Sequence, residues 1–417
     1  MPNSTSTSAA STDEQDAPVP AAEPDAAVAA ASGASDDIAG RTRELVARLA
    51  RLTRADRLSA EDRTALRYWI AAHVVLMMLA WTAAWTMSKG SEPTPLRRAF
   101  QNWDAIHYAT VAAHGYFSGA SLPTNIVFFP GYPAVIAAVH LVVRDWPAAE
   151  LIASFVAGAF AVVSLTRLAG SSRAALYLLV APAAVFLSLG YAESLYLAFS
   201  LAAWQAAGRG HWVRAGLFGL FAGVTRVNAV FLVAALAVMA LQMCHRDGVR
   251  SLVKAWAGLA ITLLGPVGYI TYLRLHTGSW SAWFQASRAG WDLHFVGPVK
   301  SLHDSWYTAF TYAQTPEVSF TWQLEILAVA VMVLTTLWLL YRRQWPEAIY
   351  CGLTVTAVAT TTYYTACDRT LLLLFPIWVL LTRAAKRWPW VGTAYVWCSA
   401  PLAAVVALMY LSGNWAG

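Results

Sequence analysis

Charged side chains are scarce in this sequence. Asp, Glu, Lys and Arg together make up 12% of its 417 residues, whereas a soluble domain carries about 25%. Hydrophobic residues make up 58%, and the mean hydropathy is +0.49. With so few charges, most of the chain must face lipid rather than water. The composition therefore excludes a soluble globular protein and predicts an all-α bundle that crosses the membrane several times.

Cysteine is also scarce, and nucleotide-binding motifs are missing. The four cysteines contain no C-x-x-C pair, which argues against a disulfide framework and against a cysteine metal site. The sequence has no P-loop, no glycine-rich nucleotide fingerprint and no D-x-D motif. A nucleotide-sugar donor and an ATP-driven pump are therefore both disfavoured, whereas a donor that is itself a membrane lipid fits this pattern.

The first 40 residues lack both basic side chains and a hydrophobic run. They contain seven acidic residues and no Lys or Arg, so we expect 1–40 to be a disordered acidic tail rather than a signal peptide. The basic segment 41–68 contains eight arginines and precedes a hydrophobic stretch that begins at Trp69. Because basic residues stay in the cytoplasm, we expect a cytoplasmic N-terminus and a membrane domain over 69–417.

The hydrophobic stretches predict about eleven transmembrane helices. Nine of the stretches are 69–87, 149–168, 174–190, 194–208, 252–275, 323–341, 346–365, 370–383 and 390–412. The residues 215–244 have basic residues on both sides, and at about 1.5 Å per residue they are too short for two full spans. We therefore expect two short helices that meet near 225–228.

Five basic clusters set the expected topology. They are 167–173, 209–214, 246–254, 342–343 and 383–387. All five are cytoplasmic if 128–143, which is short and carries two prolines, does not cross the membrane. Asp104 and Glu193 then lie on the same outer face, and 88–148 and 276–322 are outer loops.

In this topology the unusual polar residues gather on the outer face. They are Asp104, His107, Glu193, Arg226, Asn228, Arg288, Asp292, Asp368 and Arg369. A charged group at membrane depth costs about 2.5–3.5 kcal/mol. Several of them on one face therefore indicate a polar cavity.

The first outer loop carries the motifs of a known family. It contains W-D-x-x-x-Y at 103–108, H-G-Y at 114–116 and F-F-P-x-Y-P at 128–133. These resemble the PIG-V family, the second mannosyltransferases of GPI-anchor synthesis and their bacterial relatives. Y-x-E-S at 191–194, T-R-x-N at 225–228 and R-x-L-L-x-x-F-P at 369–376 are similar to further family segments, although Ala229 stands where the family has Gly.

The resemblance implies a GT-C fold, with an extracytoplasmic active site and interfacial helices in the first loop. It also implies transfer of mannose, with inversion, from a polyprenyl-phosphate donor to an extracytoplasmic glycan, glycolipid or glycoprotein acceptor. Asp104 would be the general base, while Arg226 and Arg369 would bind the lipid phosphate. Glu193 would orient the acceptor, or hold a divalent cation (Mg or Mn) together with Asp104.

Five further residues are expected to contact the substrate. They are Trp103, His107, Tyr108, Asn228 and Arg288. The loop 276–322 is also rich in aromatic residues, which are typical of a belt at the lipid headgroups. The alternative is that they stack on sugar rings or guide the polyprenyl chain of the donor. Nucleic acid is not an expected partner.

The key charged residues also have structural interpretations. Asp104 and Glu193 are alternatively N-terminal caps of the helices that follow them, and Arg369 alternatively pairs with its neighbour Asp368. Two other functions also remain open. One is a transporter or flippase for lipid-linked sugars, in which charges would line a path at several depths. The other is a related subunit without activity.

Overall fold

The computed structural model describes residues 58–87, 95–247, 249–311 and 315–416. The expected acidic tail, 1–40, and most of the basic segment 41–68 lie outside these ranges. Within them the chain is helical almost throughout, and its only β-structure is an isolated bridge between Phe295 and Thr361. The expected all-α class is confirmed.

The helices are numbered in chain order. The first are α1 (Ala60–Thr86), α2 (Leu96–Ala99), α3 (Asp104–His114), α4 (Gly131–Val143), α5 (Trp146–Ala169) and α6 (Arg173–Leu179). Next come α7 (Glu193–Gly208), α8 (Trp212–Thr225), α9 (Ala229–Asp247), α10 (Val249–Thr277), α11 (Ala282–Trp291) and α12 (Pro298–Phe310). The last are α13 (Pro316–Tyr341), α14 (Trp345–Ala359), α15 (Cys367–Leu373), α16 (Phe375–Arg387) and α17 (Pro389–Leu411). Short 3₁₀ helices lie at Pro123–Val127 and Pro182–Leu187.

Five of these helices are long and apolar enough to cross a membrane, namely α1, α5, α10, α13 and α17. The helices α4, α8 and α9 are also apolar but shorter. Length and composition thus support a multi-pass membrane protein, as the low charge content predicted. The expected total of about eleven crossings stays a prediction.

Three of the expected continuous spans are interrupted or end early. The stretch 174–190 breaks after Leu179, and Pro182 begins a separate 3₁₀ helix, because proline lacks the N–H that a continuing helix needs. The stretch 370–383 breaks at Leu374, just before Pro376 in the first turn of α16. The helix expected over 346–365 ends at Ala359. In each case hydrophobic composition alone overestimated the length of the helix.

The first helix begins at Ala60, inside the segment that we assigned to a basic juxtamembrane region. Its start is fixed by a capping box. The hydroxyl of Ser59 accepts a hydrogen bond from the backbone N–H of Asp62, and the Asp62 carboxylate accepts one from the backbone N–H of Ser59. Arg167 of α5 donates to the same carboxylate, so this end of α1 is joined to the bundle.

The prediction of two short helices over 215–244 is confirmed. The helix α8 ends at Thr225 and α9 begins at Ala229, with Arg226 in extended conformation between them. This break places Arg226 and Asn228 at a helix junction instead of on a continuous helix surface.

The helices α8 and α10 approach each other through glycine. A Cβ atom placed on Gly216 would lie 2.6 Å from the carbonyl oxygen of Gly258, and one on Gly265 would lie 2.8 Å from the carbonyl oxygen of Leu220. Contact of backbone with backbone through small residues is typical of helix packing in membranes. It fixes the position of α8, whose C-terminus leads into Arg226.

The segment that the sequence predicts to be the first outer loop packs against this junction. A Cβ atom on Gly131, at the start of α4, would lie 2.8 Å from the Thr225 hydroxyl oxygen. On the other side, Trp283 of α11 donates a hydrogen bond to the carbonyl of Val127 at 3.1 Å, and Tyr269 of α10 donates to that of Ile126 at 2.8 Å. The loop motifs are therefore held between α8, α10 and α11.

Candidate functional site: two carboxylate–arginine pairs

Asp104 is the first residue of α3, and its carboxylate is bound by an arginine. The Nη1 atom of Arg369 lies 2.8 Å from Oδ2 of Asp104. The N-cap position is held by Trp103, at φ 53°, and no side chain caps this end of the helix. The interpretation of Asp104 as an N-terminal cap is therefore wrong.

Arg369 lies in the short helix α15, whose N-terminus is capped by a distant carboxylate. Glu325 of α13 accepts hydrogen bonds from three consecutive backbone N–H groups, those of Ala366 at 2.8 Å, Cys367 at 2.6 Å and Asp368 at 3.1 Å. The Glu325 side chain is fully buried. A buried carboxylate with three such bonds fixes where α15 begins, and with it the position of Arg369.

The alternative interpretation of Arg369, a side-chain pair with its neighbour Asp368, is not what the structure shows. Oδ1 of Asp368 accepts a hydrogen bond from the backbone N–H of Arg369 at 2.6 Å, while the Arg369 guanidinium points to Asp104. Burial raises the pKa of the Asp368 carboxyl well above its ordinary value, and the nearby charge of Glu325 raises it further. Asp368 is therefore unsuited to balance the charge of Arg369.

Two aromatic rings hold the Arg369 guanidinium. Its Cζ atom lies 5.1 Å from the ring centre of Phe186 and 5.1 Å from that of Tyr191, a cation–π arrangement on both rings. Nη1 contacts Asp104, whereas the buried Nε atom has no hydrogen-bond partner among the described residues. The guanidinium is thus fixed in place, and its Nε–H group remains available to donate a hydrogen bond to a ligand.

Glu193 and Arg226 form the second pair. Nη1 of Arg226 lies 2.6 Å from Oε1 of Glu193, which is completely buried. The other oxygen, Oε2, has no hydrogen-bond partner in the described part of the chain. No side chain caps the start of α7, so the interpretation of Glu193 as a cap is also wrong.

Tyr108 joins the two pairs into one cluster. Its ring packs edge-on against Phe128 and Tyr132, with centroid distances of 4.8 and 5.0 Å. Burial raises the pKa of the Tyr108 hydroxyl well above its ordinary value, and the charges of both pairs act on it. The hydroxyl therefore stays neutral and can donate a hydrogen bond at physiological pH.

The structure thus brings five of the expected site residues together. They are Asp104, Tyr108, Glu193, Arg226 and Arg369. Two carboxylates can accept protons or hydrogen bonds from hydroxyl groups, and two guanidinium groups can bind an anion. This combination suits the transfer of a group that leaves as a phosphate.

The other expected residues surround this cluster or lie apart from it. His107 stacks on Phe128 at 5.2 Å, with its edge towards Trp291 at 6.2 Å. Trp103 is 44% exposed and donates a hydrogen bond from Nε1 to the carbonyl of Asn414 at 3.2 Å. His107 is therefore linked to the cluster through Phe128, which also packs on Tyr108.

Asn228 and Arg288 differ in their burial. Asn228 is buried in the junction between α8 and α9, two residues after Arg226. Arg288 is exposed on α11 and forms no ion pair with an acidic side chain of the described ranges. A role for Arg288 at the site would require it to contact a bound substrate directly.

The aromatic residues of the second outer loop divide into two sets. Trp280, Phe284, Phe295 and Trp306 are each more than half exposed, as expected for a belt at the lipid headgroups. Trp283 and Trp291 instead pack against the first outer loop. The expectation of a belt therefore fits the first set only.

The cluster does not have the donor set of a divalent-cation site. Asp104 and Glu193 each contact an arginine, and the described residues contain no group of three or more His, Cys, Asp or Glu side chains that could hold a metal ion. Mg²⁺ and Ca²⁺ require several oxygen ligands. Dependence on a divalent cation stays a prediction.

Sequence analysis missed the residues that support the cluster. Glu325 and Glu150 were both visible as single acids inside hydrophobic stretches, a pattern that marks a functional or structural role in a membrane. Glu150 is buried beside Gly190, where an added Cβ would lie 2.8 Å from its carboxyl group. Phe186 and Tyr191 gave no such signal, since aromatic residues are common in this chain.

Comparison with known proteins supports the family resemblance. Residues 148–263 match the family described as Mannosyltransferase (PIG-V). The predicted resemblance to the PIG-V mannosyltransferases is confirmed. The matched segment contains Glu193 and Arg226, whereas Asp104 and Arg369 lie outside it.

Relatives in the PIG-V family carry the name GPI alpha-1,6-mannosyltransferase 2. The protein of Rattus norvegicus is 29% identical over 186 residues, and that of Mus musculus is 30% identical over the same length. Each match covers 39% of this chain and 37% of the relative. The chain therefore spans well under half the length of the relatives that it matches.

Solved structures of an oligosaccharyltransferase from Archaeoglobus fulgidus show a weak likeness to the PIG-V-like chain. The apo form gives a TM-score of 0.42 at 11% identity and covers 85% of this chain and 56% of the other. The form tethered with an acceptor peptide gives 0.38 at 11% identity, covering 83% and 55%. Both scores are low.

Proposed function

We propose that this chain is an integral membrane mannosyltransferase that uses a polyprenyl-phosphate-linked mannose donor. Its acceptor is an extracytoplasmic glycan, glycolipid or glycoprotein. The observation that carries the proposal is the cluster of Asp104–Arg369 and Glu193–Arg226 around Tyr108. The match of 148–263 to the PIG-V family supports mannose as the transferred sugar.

Arg226 and Arg369 bind the phosphate of the donor in this proposal. Each guanidinium uses one Nη1 atom on a carboxylate, which leaves further N–H groups for phosphate oxygens. Guanidinium binds phosphate through two parallel hydrogen bonds. Charge on the phosphate grows as the bond to the sugar breaks, and fixed arginines stabilise that charge without reorganising.

Asp104 is the general base. An acceptor hydroxyl gives its proton to the Asp104 carboxylate, and its oxygen attacks C1 of mannose. The bond from C1 to the phosphate oxygen breaks, and the electron pair leaves on the lipid phosphate. Attack opposite the leaving group inverts the configuration at C1. Asp104 and Arg369 are in contact, so the base and a phosphate ligand belong to one site. Attack opposite the leaving group requires the acceptor hydroxyl and the phosphate to lie on opposite faces of C1 within that site.

Glu193 positions both substrates in this scheme. Oε1 holds Arg226, while Oε2 is buried without a partner in the described ranges. That oxygen can accept a hydrogen bond from a hydroxyl group of the acceptor. A bound acceptor would thus satisfy an oxygen whose burial without a partner is otherwise unfavourable.

The alternative function, a transporter or flippase, has no specific support. A transport path should place charges at several depths in the membrane. The charges of the candidate site instead neutralise each other in pairs within one cluster.

The test is an assay of the purified full chain in liposomes. Radiolabelled polyprenyl-phosphate mannose is supplied with a membrane extract as the source of acceptors, and label in the acceptor fraction is measured. We expect transfer by the wild-type chain and a large loss in Asp104→Asn. Transfer from GDP-mannose alone, or movement of the labelled lipid between leaflets without transfer, would contradict the proposal.

A further inference from the structure

A groove of about 950 Å³ lies between α13, α16 and α17. We call it the lateral groove. Its wall on α13 is formed by Leu324, Leu327, Ala328, Val331, Thr335, Trp338 and Arg342. Apart from the neighbours Leu327 and Ala328, successive positions are three or four residues apart, so the set lies on one face of the helix. The opposite wall is also mainly apolar and includes Trp378, Leu381, Tyr395 and Leu402.

The lateral groove is nearly as long as the membrane is thick. From Leu324 to Arg342 the helix rises by about 27 Å at 1.5 Å per residue, and the hydrocarbon core of a bilayer is about 30 Å thick. The helix α13 packs against α14 and α15 but makes no extensive contact with α16 or α17. A space of this length and composition suits acyl chains aligned with the helices.

The two ends of the lateral groove differ in charge. One end is lined by Asp368, next to the Arg369 of the candidate site. The other end carries Arg342, Arg383 and Arg387, together with Trp338 and Trp388. The groove therefore has one end at the site and one strongly basic end.

The three arginines of the basic end are exposed and have no acidic partner within ion-pair distance in the described part of the chain. Glu347 lines a small adjoining cavity together with Arg383, yet the two form no ion pair. The sequence predicts that the basic clusters 342–343 and 383–387 lie on the cytoplasmic side. Three guanidinium groups that have no acidic partner among the described residues, at the mouth of an apolar groove, form a site for an anionic headgroup.

We propose that the lateral groove holds an anionic phospholipid of the bilayer. Its phosphate is bound by Arg342, Arg383 and Arg387, and its acyl chains lie along α13 and α17. Guanidinium groups supply paired N–H donors to phosphate oxygens. Trp338 and Trp388 line the same end of the groove, and indole rings favour the headgroup region. The lipid is distinct from the sugar donor, because the donor phosphate is assigned to Arg226 and to Arg369, which lies beside the opposite end of the groove.

The bound lipid would also support the candidate site. It fills the space between α13 and the pair α16 and α17, and α13 carries the Glu325 that caps α15. We therefore expect an anionic phospholipid to raise the melting temperature of the detergent-solubilised chain more than phosphatidylcholine does, since a ligand that binds only the folded state stabilises it.

The test uses the full chain in bilayers of equal amounts of phosphatidylglycerol and phosphatidylcholine. After gentle extraction, native mass spectrometry identifies the lipids that remain bound. We expect selective retention of phosphatidylglycerol by the wild-type chain. In the variant Arg342→Gln/Arg383→Gln/Arg387→Gln we expect binding to be weaker by on the order of 100-fold. The control Arg173→Gln/Arg209→Gln/Arg214→Gln removes equal charge from exposed positions outside the groove and should retain the lipid.

A second variant separates the groove from the charges. Thr335→Trp places an indole ring in the path of the acyl chains and leaves the arginines unchanged, and we expect it to weaken lipid binding as well. Equal retention of both lipids by the wild-type chain would overturn the proposal. So would unchanged retention of phosphatidylglycerol in both groove variants. None of these results depends on transferase activity.

Discussion

The Nη1 atom of Arg369 lies 2.8 Å from Oδ2 of Asp104, although the residues are 265 positions apart in the chain. This contact joins the start of α3 in the first outer loop to the helix α15. Both side chains are largely buried, at 11% and 21% exposure. Asp104 therefore has two tasks in the structure, since it neutralises Arg369 and is the proposed base.

Replacing Asp104 by Asn should abolish most of the activity of the folded protein, and it should also lower stability, because Arg369 loses the carboxylate that neutralises it. Asn cannot accept the acceptor proton at neutral pH, so we expect turnover to fall by about 10²–10⁴-fold. Since Asp104 does not cap α3, no loss of a helix cap is expected. The measurement is turnover at saturating donor, normalised to the amount of folded protein.

The matched control for this change is Asp304→Asn. Asp304 lies on α12, where it pairs with Lys300, away from the cluster. We expect its turnover to equal that of the wild type. If Asp104→Asn retained turnover within a few-fold of the wild type, Asp104 would not be the base, and Glu193 would become the candidate.

Changing Arg226 separates phosphate binding from ion pairing. Arg226→Lys keeps a positive charge beside Glu193 but loses the planar fork that binds phosphate. We expect a higher KM for the donor, with the protein still folded. Arg226→Ala leaves the fully buried Glu193 without its partner, which costs about 3–5 kcal/mol when a buried pair is broken.

The measurement for both Arg226 variants is donor KM together with melting temperature. An unchanged donor KM in Arg226→Lys would limit Arg226 to a structural role in the pair with Glu193.

Glu325 should act as a positioning residue for Arg369. Glu325→Ala removes the acceptor of three backbone N–H groups at the start of α15. Leaving such buried groups unsatisfied costs about 1–3 kcal/mol each, so we expect lower stability. Glu325→Gln keeps one carbonyl oxygen as an acceptor and should therefore lose less stability than Glu325→Ala.

If the role of Glu325 is purely structural, its variants should lower only the amount of folded protein. A positioning role should also raise the donor KM of the folded fraction, because Arg369 moves with α15. The control is Glu347→Gln on the neighbouring helix α14, which should leave donor KM unchanged. If both Glu325 variants kept the wild-type KM, the cap would not position the site.

The predicted topology can be tested with single cysteines in a background without native cysteine. Leu122→Cys and Phe295→Cys place thiols at exposed positions of the two outer loops, and we expect both to react with an impermeant maleimide on intact cells. Arg209→Cys and Arg343→Cys should react only after permeabilisation. Labelling of Leu122→Cys and Arg209→Cys on the same side would show that the charge-based topology is wrong.

The charged residues of the site were predictable because each one is costly in a hydrophobic sequence. Asp104, Glu193, Arg226 and Arg369 stood out for this reason, and all four lie in the cluster. The junction of α8 and α9 followed from length and flanking charge. Physical cost thus indicated which residues lie together in the structure.

The partners of these residues were not predictable. A sequence shows which residues are neighbours in the chain but not which distant residues meet in space. The interpretations available from it were therefore local, namely a helix cap by Asp104 and a pair of Asp368 with Arg369. The actual partners lie 33 and 265 positions away. The breaks at Pro182 and before Pro376 were missed for a related reason, since an apolar stretch was counted as one helix despite its prolines.

The contact of Gly216 with Gly258 has a consequence for genetics. Any side chain at Gly216 would meet the backbone of α10 and push α8 away from it. The rise from Gly216 to Arg226 is about 15 Å along α8, so the displacement would carry Arg226 away from Glu193. A screen for lost transfer activity would then rank Gly216 with Asp104 and Glu193, although Gly216 lies outside the proposed site. Measuring cellular abundance of the same variants would not correct this ranking if the shifted helix still folds.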